Sequence, residues 1–414
     1  MTSFATATGI LGALLVAGAL LSGLAGRSVL SLTAVFVVAG FVLGHGGFGV
    51  LQIAPRSAFV SDLANVALIV ILFRDGLEVD AGFLQRDWHV PVRKLVIAMP
   101  VTAVIVAAVA RVVLGLGWTE SFLLGALLSP TDPVLSSGVV TDARVPALIR
   151  HSLNVESGLN DGLALPAVLA FATALEIPST HFEWWRFVTQ DVLLGFAYGL
   201  VCGAVAAIGF NWAARRDLAV MAGHQRSLYG LGVAFTSYAV TFLGPHGNGL
   251  IAVFVAAIVL GIRAPGLAVD FGERSAELVE IVKLGIFVVF GSLLTLHGLF
   301  GHGWGALVVV LATLFLARPV AVFLALAGSE IDRSSIAFMA WFGPKGVATM
   351  TFSLLVLSEP ILAGPRLFNL AALAVFVSIV LHGATDSLAV GWFARRSAEA
   401  LPAARAPAPS AAGE

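Results

Sequence analysis

The polar residues that could do ion chemistry concentrate in one stretch of this chain, residues 128–165. Within otherwise apolar sequence it holds Asp132, Glu156, Ser157, Asn160 and Asp161. A charge at the centre of a bilayer costs about 2.5–3.5 kcal/mol even on lenient insertion scales, so acids rarely stand there without a task. Several of them in adjacent apolar segments indicate a site for a cation or a proton.

Helical spacing sorts these residues into two faces. Residues four apart share a face, so Ser157 and Asp161 lie together, and Glu156 and Asn160 lie about 100° round the helix. Asp161 is the carboxylate expected to complete an ion site. Asn160 is expected to support that site by hydrogen-bonding the loose ends of the preceding span rather than to bind the ion.

The preceding span contains Pro130 and Pro133 on either side of Thr131 and Asp132. Each proline removes a backbone donor and clashes with the turn before it, so the helix is expected to break here. Transporters bind ions at such mid-membrane helix ends. Asp132 is expected to offset the positive half-helix end, and Thr131 to supply cation ligands. A purely structural cap is the alternative for Asp132.

Two of the basic residues that fall inside predicted spans, Arg318 and Lys345, are expected to be buried beside this site. Lys345, in the segment FGPKG, interrupts a late span, where its charge is expected to offset exposed carbonyls. Arg318 is followed by Pro319 and needs an acidic partner at that depth, for which Glu156 is the natural candidate. A bidentate Arg–Glu pair would keep Glu156 ionised and leave Asp161 as the carboxylate that takes up protons.

The composition of the whole chain predicts a membrane protein. Of 414 residues, 59% are hydrophobic and 11% are charged, whereas soluble domains carry about 25% charged residues. The formal net charge of −1 argues against nucleic acid as a partner, because no basic surplus is present to neutralise phosphates. The single cysteine, Cys202, excludes an internal disulfide. The predicted fold class is therefore an all-α polytopic membrane protein.

Apolar windows of roughly 20 residues, the length that crosses a bilayer, predict thirteen spans. They cover residues 5–25, 28–44, 60–79, 95–115, 119–140, 147–175, 187–213, 226–243, 248–263, 276–298, 303–327, 334–357 and 366–393. Most of the 23 Lys and Arg residues fall in alternate loops, among them Arg93 and Lys94, which places the N-terminus outside and the C-terminus in the cytoplasm. Residues 397–414, rich in Ala and Pro, are predicted to form a disordered tail.

The interruptions in spans five and twelve indicate an internal repeat. They lie seven spans apart, and an odd offset turns the second copy upside down in the membrane. Spans 1–6 and 8–13 would then be inverted repeats joined by span seven, with two broken, crossing helices that point to the transport site. We expect the two halves to share the arrangement of their spans but no identical residues at equivalent positions.

Other charged residues favour simpler interpretations. Arg74 and Asp75 are expected in a wet interface at the inner end of span three, with support of a cation path as the alternative. Glu280 and Lys283 are three apart, a spacing that suits a local ion pair on one helix.

Four motifs together resemble the sodium/proton antiporters of the NhaP and NHE type. They are TDP at 131–133, NVESGLND at 154–161, ARP at 317–319 and GPKG at 343–346. The resemblance extends over nearly the whole chain. It implies a secondary transporter rather than an enzyme, without a cofactor, which carries Na+ (or Li+ or K+) and H+. It also implies a homodimer in the plasma (inner) membrane, with lipid as the only other partner.

The family's organisation implies a scaffold and a moving bundle. Residues 1–94 and 218–300 would form the scaffold and dimer contact, 95–176 and 301–396 the transport bundle, and 177–217 the linker helix. An elevator-like motion of the bundle would carry the ion. No soluble regulatory domain is expected on the chain.

The motifs also assign roles by resemblance. Asp161 would be the shared cation and proton carboxylate, with Asp132, Ser157 and Thr131 completing the site, and Asn160, Glu156, Arg318 and Lys345 supporting it. Two departures stand out: Lys345 lies where the family usually has arginine, and Arg74 follows Phe73 where members often have an acid. A buried lysine can lose its proton, which arginine cannot, so Lys345 bears on the stoichiometry.

A single carboxylate suffices for exchange if cation and proton compete for it and only the loaded forms cross. One Na+ for one H+ moves no net charge, so the membrane potential, worth roughly 2.3 kcal/mol per charge per 100 mV, would not drive it. K+/H+ exchange by the same mechanism is the main alternative. A cation channel and an intramembrane aspartyl protease using Asp132 and Asp161 are the other two.

Overall fold

The computed structural model describes residues 32–79, 88–132, 142, 144–176, 182–216 and 223–400, with a few isolated positions before residue 32. Across these residues every regular element is a helix, and the one extended contact is an isolated bridge between Glu176 and Ile361. The prediction of an all-α polytopic membrane protein is confirmed.

Within the described residues from 32 to 400 the structure has fifteen helices, three of which contain a π-helical segment. They are α1 (Leu32–Leu43), α2 (Ala58–Leu77), α3 (His89–Leu114), α4 (Trp118–Leu128), α5 (Ala147–Thr173), α6 (Trp184–Arg215), α7 (Gly223–Val240), α8 (Gly249–Arg263), α9 (Pro265–Arg274), α10 (Ala276–Ser292), α11 (Leu296–Phe300), α12 (Gly303–Ala325), α13 (Arg333–Trp341), α14 (Val347–Ser358) and α15 (Gly364–Ala400). The π segments are Lys94–Ala98 in α3, Phe187–Leu193 in α6 and Thr313–Ala317 in α12.

Four of the described helices are long and apolar enough to cross a membrane unaided: α3, α6, α12 and residues Gly364–Trp392 of α15. The pair Gly249–Arg263 and Pro265–Gly272 would count as a fifth, bent by 115°. The helices that bear the acids or stop at a break are too charged or too short for this test. Large apolar side chains such as Val112, Val205 and Trp304 are exposed on the outside of the molecule, as a lipid-facing surface requires.

Helices occupy the predicted positions of spans two to thirteen, although only the first part of span five is described. Most of the predicted first span, Pro133 with the rest of span five, and residues 401–414 lie outside the described residues. Helix α15 continues through residues 397–400, which the prediction assigned to the tail.

Helix α3 begins at His89, earlier than the predicted residue 95, so Lys94 lies inside a helix and not in an inner loop. That prediction was wrong because it treated each cluster of basic residues as solvated. The proposed boundary between residues 94 and 95 therefore falls within α3.

Helices α3 and α12 carry the same local pattern, seven spans apart by the predicted count. The sequence KLVIAMPV at 94–101 aligns with TLFLARPV at 313–320, with Leu, Ala, Pro and Val identical at four positions. The two π segments, Lys94–Ala98 and Thr313–Ala317, coincide in this alignment. The prediction that the halves share no residue-level identity is thus wrong, and the inverted repeat gains support from two matching helices.

Small residues let the helices approach closely. On α6, Gly195, Gly199 and Gly203 form a stripe at four-residue spacing against α8. A Cβ atom at Gly199 would lie 2.6 Å from the carbonyl oxygen of Ala252, so the backbones could not meet this closely with a larger residue. This is the small-residue packing typical of membrane helices. This packing fixes the position of α8. Phe254 of α8 in turn packs against Gly162 of α5, the helix that bears the acids.

Candidate functional site

Two interrupted helices meet at the centre of the site. Helix α4 ends at Leu128, and Pro130, Thr131 and Asp132 have no helical hydrogen bonding. Helix α13 ends at Trp341, and residues 342–346 form a non-helical link to α14. The backbone N–H of Asp132 donates to the carbonyl of Pro344 at 2.9 Å. The two breaks, residues 129–132 and 342–346, are therefore in direct contact, and the place where they meet is called the crossing below.

Asp132 and Lys345 each serve the end of the other interrupted helix. The Asp132 carboxylate accepts a hydrogen bond from the N–H of Val347, the first residue of α14, at 3.2 Å. The Lys345 ammonium donates to the carbonyls of Ser129 and Pro130, at the C-terminal end of α4, at 3.4 and 3.1 Å. The sequence predicted the right charges at helix ends, but it paired each with its own broken span.

Two glycines of the FGPKG segment make this crossing possible. A Cβ at Gly343 would lie 2.0 Å from Nε of Arg318, and a Cβ at Gly346 would lie 2.4 Å from Cβ of Asp132. Real side-chain atoms do not approach so closely. Glycine is thus required at both positions by the buried charges that face them.

Glu156 lies between two cations. Its Oε1 accepts from Arg318 at 2.9 Å, and its Oε2 lies 2.5 Å from the ammonium nitrogen of Lys94. Arg318 also donates to the carbonyls of Met339 and Phe342, the last of which belongs to the second break. The pair that the sequence indicated is present, and it anchors α12 to the interrupted segment.

Lys94 is the residue of this cluster that the sequence interpretation missed. Its side chain is 1% exposed, deeper than expected of any loop lysine. The signal that could have found it is the repeated LxxAxPV pattern, since Lys94 stands in α3 where Thr313 stands in α12. That alignment places it one helix turn from the position of Arg318, on a helix packed against α12.

Asn160 links the acid-bearing helix to the first break. Its amide Nδ2 donates to the carbonyl oxygen of Thr131 at 2.7 Å and to the Thr131 hydroxyl at 3.1 Å. Both oxygens that the sequence nominated as ligands are therefore held in place by a side chain of α5. This contact is the one expected from Asn160 as a supporting residue.

Asp161 differs from Glu156, which is paired with two cations, in that no described residue pairs with its carboxylate. It is 9% exposed, and among the described residues none donates a hydrogen bond to its carboxylate or forms an ion pair with it. Its electrostatic neighbours are Asp75, Asp132 and Lys283. Ser157, one turn before it on α5, is half-buried. The buried Asp161 carboxylate, with the Ser157 hydroxyl one turn away, is therefore free to bind a cation or a proton and to release it again.

Asp75 and Lys283 are closer to this carboxylate than the sequence suggested. Arg74 and Glu78 form the exposed ion pair of a wet interface, at 3.1 Å. Asp75 instead is an electrostatic neighbour of Asp161, on the part of α2 that packs against α5. There the backbone oxygen of Asp75 lies 3.6 Å from the Cβ position of Gly158. The predicted local pair of Glu280 and Lys283 is wrong: Lys283 is buried, Glu280 is exposed, and within the part of the chain that the structure describes no ion pair joins them.

A carboxylate marks the start of the second interrupted helix, outside the apolar layer. Asp332 is the N-cap of α13, where it accepts hydrogen bonds from the N–H groups of Ser334 and Ser335 at 3.0 and 2.9 Å and from both hydroxyls. Partial burial raises its pKa, but these four hydrogen bonds outweigh burial and lower the pKa to about 2. The cap fixes where α13 begins.

The donor set defines the chemistry that the site can do. A carboxylate, a hydroxyl and main-chain carbonyls are the oxygen ligands that hard cations prefer. A carboxyl group can instead hold a proton, which removes the cost of its buried charge. The site can thus take a small monovalent cation or a proton at one place.

Comparison with known families gives a match over most of the chain. Residues 11–391 match the family described as sodium/hydrogen exchanger, transmembrane. The K(+)/H(+) antiporter NhaP of Alkalimonas amylolytica is 26% identical over 368 residues, which is 86% of this chain and 62% of that protein. The probable Na(+)/H(+) antiporter 2 of Methanocaldococcus jannaschii is 23% identical over 85% of this chain and 84% of its own length.

The K(+)/H(+) antiporter NhaP2 of Shewanella sp. (strain ANA-3) is 26% identical, with 91% of this chain and 65% of that protein aligned. The chain thus spans less than two thirds of the length of both K(+)/H(+) antiporters. Among solved structures, the sodium proton antiporter MjNhaP1 from Methanocaldococcus jannaschii at pH 8 superposes with a TM-score of 0.78 and 22% identity, covering 94% of this chain and 98% of that chain. The fold is therefore shared.

Proposed function

Because the chain belongs to the sodium/hydrogen exchanger family, we propose that it exchanges a monovalent cation, Na+ in the first instance, for H+ across the membrane. The observation that carries the proposal is the contrast between two buried acids five residues apart on α5. Glu156 is held by Lys94 and Arg318, whereas the Asp161 carboxylate has no hydrogen-bond donor among the described residues.

Exchange follows from this contrast. Asp161, with Ser157 and the carbonyl oxygen of Thr131, binds the cation, and Asp132 adds negative charge beside them. Proton and cation compete, because a carboxyl that holds a proton has no charge to offer the cation. With either a cation or a proton bound, the charge of Asp161 is neutralised. With neither bound, Asp161 is a buried negative charge, which burial disfavours. If only loaded forms move between the two faces of the membrane, each cation that crosses in one direction is matched by a proton in the other.

The same reasoning gives one cation for one proton. The other acidic and basic groups of the crossing, Asp132, Lys345, Glu156, Arg318 and Lys94, are engaged in structural contacts. They move with the bundle in both half-cycles, so their charges cancel over the cycle. Transport should therefore be electroneutral and driven by the pH gradient.

K+ in place of Na+ is the alternative that the relatives favour. Two of them are named K(+)/H(+) antiporters and one a probable Na(+)/H(+) antiporter. Ligand number and cavity rigidity separate these ions, and the same carboxylate would serve either.

The setting of the proposal follows the family resemblance. The protein is placed in the plasma (inner) membrane as a homodimer, with its N-terminus outside. Residues 95–176 and 301–396, extended to the start of α3 so as to include Lys94, form the bundle that moves against the scaffold.

The protease alternative loses its second aspartate, because the Asp132 carboxylate is bound to the N-terminus of α14.

The test is cation-driven proton movement in proteoliposomes. Purified protein is reconstituted with a trapped pH dye, and NaCl, KCl, LiCl or choline chloride is added outside. We expect Na+ or K+, but not choline, to drive protons. Asp161→Asn should abolish the signal, while Asp62→Asn, the same change at an exposed acid of α2, should preserve it. Cation flux that runs without any proton flux would favour a channel. Undiminished exchange in Asp161→Asn would contradict the proposal.

A further inference from the structure

A water-sized cavity lies against the face of α5 that carries Glu156 and Asn160. Its volume is about 10 Å³, and its polar lining comes from three helices and the residue that follows α4: Lys94, Thr102, Glu156, Asn160, Arg318 and Ser129. A cavity needs about 10–15 Å³ by this measure to hold one water, and only polar cavities do so. This space is thus large enough for one water and too small for a transported ion with its ligands.

One wall of the cavity carries an acceptor without a donor. The Oδ1 atom of Asn160 is buried and accepts no hydrogen bond, although the amide's other end, Nδ2, donates to Thr131. The side chain is 2% exposed, so no outside solvent reaches it. Leaving a buried acceptor unpaired costs about 1–3 kcal/mol. A donor in the cavity is therefore expected.

The other polar groups of the wall cannot supply that donor. The hydroxyls of Thr102 and Ser129 donate to carbonyls of their own helices, those of Ala98 and Ala126. The terminal nitrogens of Arg318 donate to Glu156 and to two carbonyls. The Nε of Arg318 has no acceptor either, but it faces Gly343, where an added Cβ would lie 2.0 Å from it. Lys94 has three N–H groups, of which Glu156 needs one, so N–H groups remain to face the cavity.

We propose that Lys94 is a positioning residue of the cation site, which acts on Asn160 through one water held in this cavity. The water accepts from the Lys94 ammonium and donates to Oδ1 of Asn160. This fixes the orientation of the amide, so that Nδ2 points to Thr131 and holds its carbonyl oxygen for the cation. The inference rests on the proposed function, because it assigns Thr131 to the cation.

The fold alone does not call for a lysine here. Glu156 already has a bidentate partner in Arg318, at 2.9 and 3.4 Å. In the matching π segment of α12, the equivalent position is Thr313, whose hydroxyl bonds within its own helix to Val309. A neutral residue thus satisfies this π segment in the other half of the repeat. The charge at Lys94 serves its surroundings, which are Glu156 and the cavity.

The experiment compares Lys94→Met, Lys94→Gln and wild type, with Arg93→Met as the matched control. Arg93 is the half-buried neighbour of Lys94, and it donates to the carbonyl of Ala327 and not to Glu156. Each protein is reconstituted, and the KM and maximal rate of Na+- and K+-driven proton movement are measured. We expect Lys94→Met to raise the cation KM about tenfold, the size of effect typical of groups that orient metal ligands, with a maximal rate within about twofold of wild type. Lys94→Gln, which keeps an N–H donor, should recover most of the KM.

The outcomes separate this inference from the proposed function. If wild type moves no protons with any cation, the proposed function fails. If wild type transports and Lys94→Met has an unchanged KM, or Gln and Met behave alike, Lys94 only neutralises Glu156 and the inference fails. Should Lys94→Met not fold, a wild-type structure that resolves waters decides: density within about 3.2 Å of both Lys94 Nζ and Asn160 Oδ1 supports the inference, and an empty cavity overturns it.

Discussion

The carboxylate of Asp132 and the ammonium of Lys345 lie at opposite helix ends of one crossing. Asp132 bonds the first N–H of α14 at 3.2 Å, and Lys345 bonds the last carbonyls of α4 at 3.1 and 3.4 Å. Each side chain comes from one interrupted helix and completes the other. The two interrupted spans therefore cannot separate without exposing buried, unpaired helix ends, and we expect them to move as one unit.

The Lys345 contacts predict which substitutions the crossing tolerates. Lys345→Met leaves the Ser129 and Pro130 carbonyls without donors, which should destabilise the protein by about 1–3 kcal/mol. Lys345→Arg retains donors and a charge that cannot be lost, so exchange should persist and remain insensitive to membrane potential. Transport measured in proteoliposomes at set potassium diffusion potentials checks this. A wild-type rate that responds to potential, and an Arg variant that does not, would show that Lys345 itself carries a proton.

The sequence predicted the individual charges of the site well, and their partners less well. The prolines, the acids and Arg318 stand out because charges and helix breakers are conspicuous in apolar sequence. Which helix end each charge serves depends on how two distant segments cross, and spacing along the chain carries no information on that. Asp132 and Lys345 were thus assigned to their own spans, although each one completes the other.

Lys94 and Lys283 show a second limit. The sequence interpretation places Lys94 in an inner loop, where a lysine is most often solvated, and it pairs Lys283 with Glu280 on the same helix. Lys94 is buried against an acid of another helix, Glu156, which offsets its charge. Lys283 has acids of two other helices, Asp75 and Asp161, as electrostatic neighbours. Partners far apart in sequence cannot be paired by local spacing. The matching π segments of α3 and α12 would have placed Lys94 within a span.

Removal of the Glu156 charge should damage folding more than ion binding. Glu156→Gln leaves Lys94 and Arg318 as two buried cations without an anion, and breaking a buried pair costs about 3–5 kcal/mol. We expect little folded protein by fluorescence-detected size-exclusion chromatography. Ser157→Ala, at the next residue, should fold normally and lose cation affinity. A Glu156→Gln protein with normal yield and melting temperature but no transport would move Glu156 into the binding site.

The two glycines of the second break should be intolerant of alanine. The new methyl group at Gly343 would displace the Arg318 guanidinium, and at Gly346 it would displace Asp132. Overpacking of this kind costs about 1–3 kcal/mol, so both variants should melt several degrees lower than wild type. Gly285→Ala in α10 is the control, because nothing lies within 4 Å of its added Cβ. Equal melting temperatures for all three variants would contradict the close contacts.

The cap at Asp332 predicts a stability that depends on acid pH. The folded pKa of about 2 lies below the ordinary 3.8, so the ionised carboxylate stabilises α13 fully above about pH 4, and this stabilisation is lost as the pH falls toward 2. Asp332→Ala should cost about 1 kcal/mol at neutral pH, measured as a lower melting temperature in detergent. Asp332→Asn should lose less, because its amide oxygen can still accept. A difference between wild type and Asp332→Ala that is as large at pH 2 as at pH 7 would contradict the role of the charge.

The charges of Asp75 and Lys283 should tune cation affinity from outside the interrupted helices. Both act electrostatically on Asp161, so loss of the negative charge in Asp75→Asn should raise the cation KM, and loss of the positive charge in Lys283→Gln should lower it. A change of about threefold to tenfold in each direction corresponds to about 0.7–1.4 kcal/mol. Glu280→Gln on the same helix as Lys283 is the control, because Glu280 is exposed and should leave the KM unchanged. Shifts of the same sign in Asp75→Asn and Lys283→Gln would mean that neither acts through its charge, since the two charges are opposite.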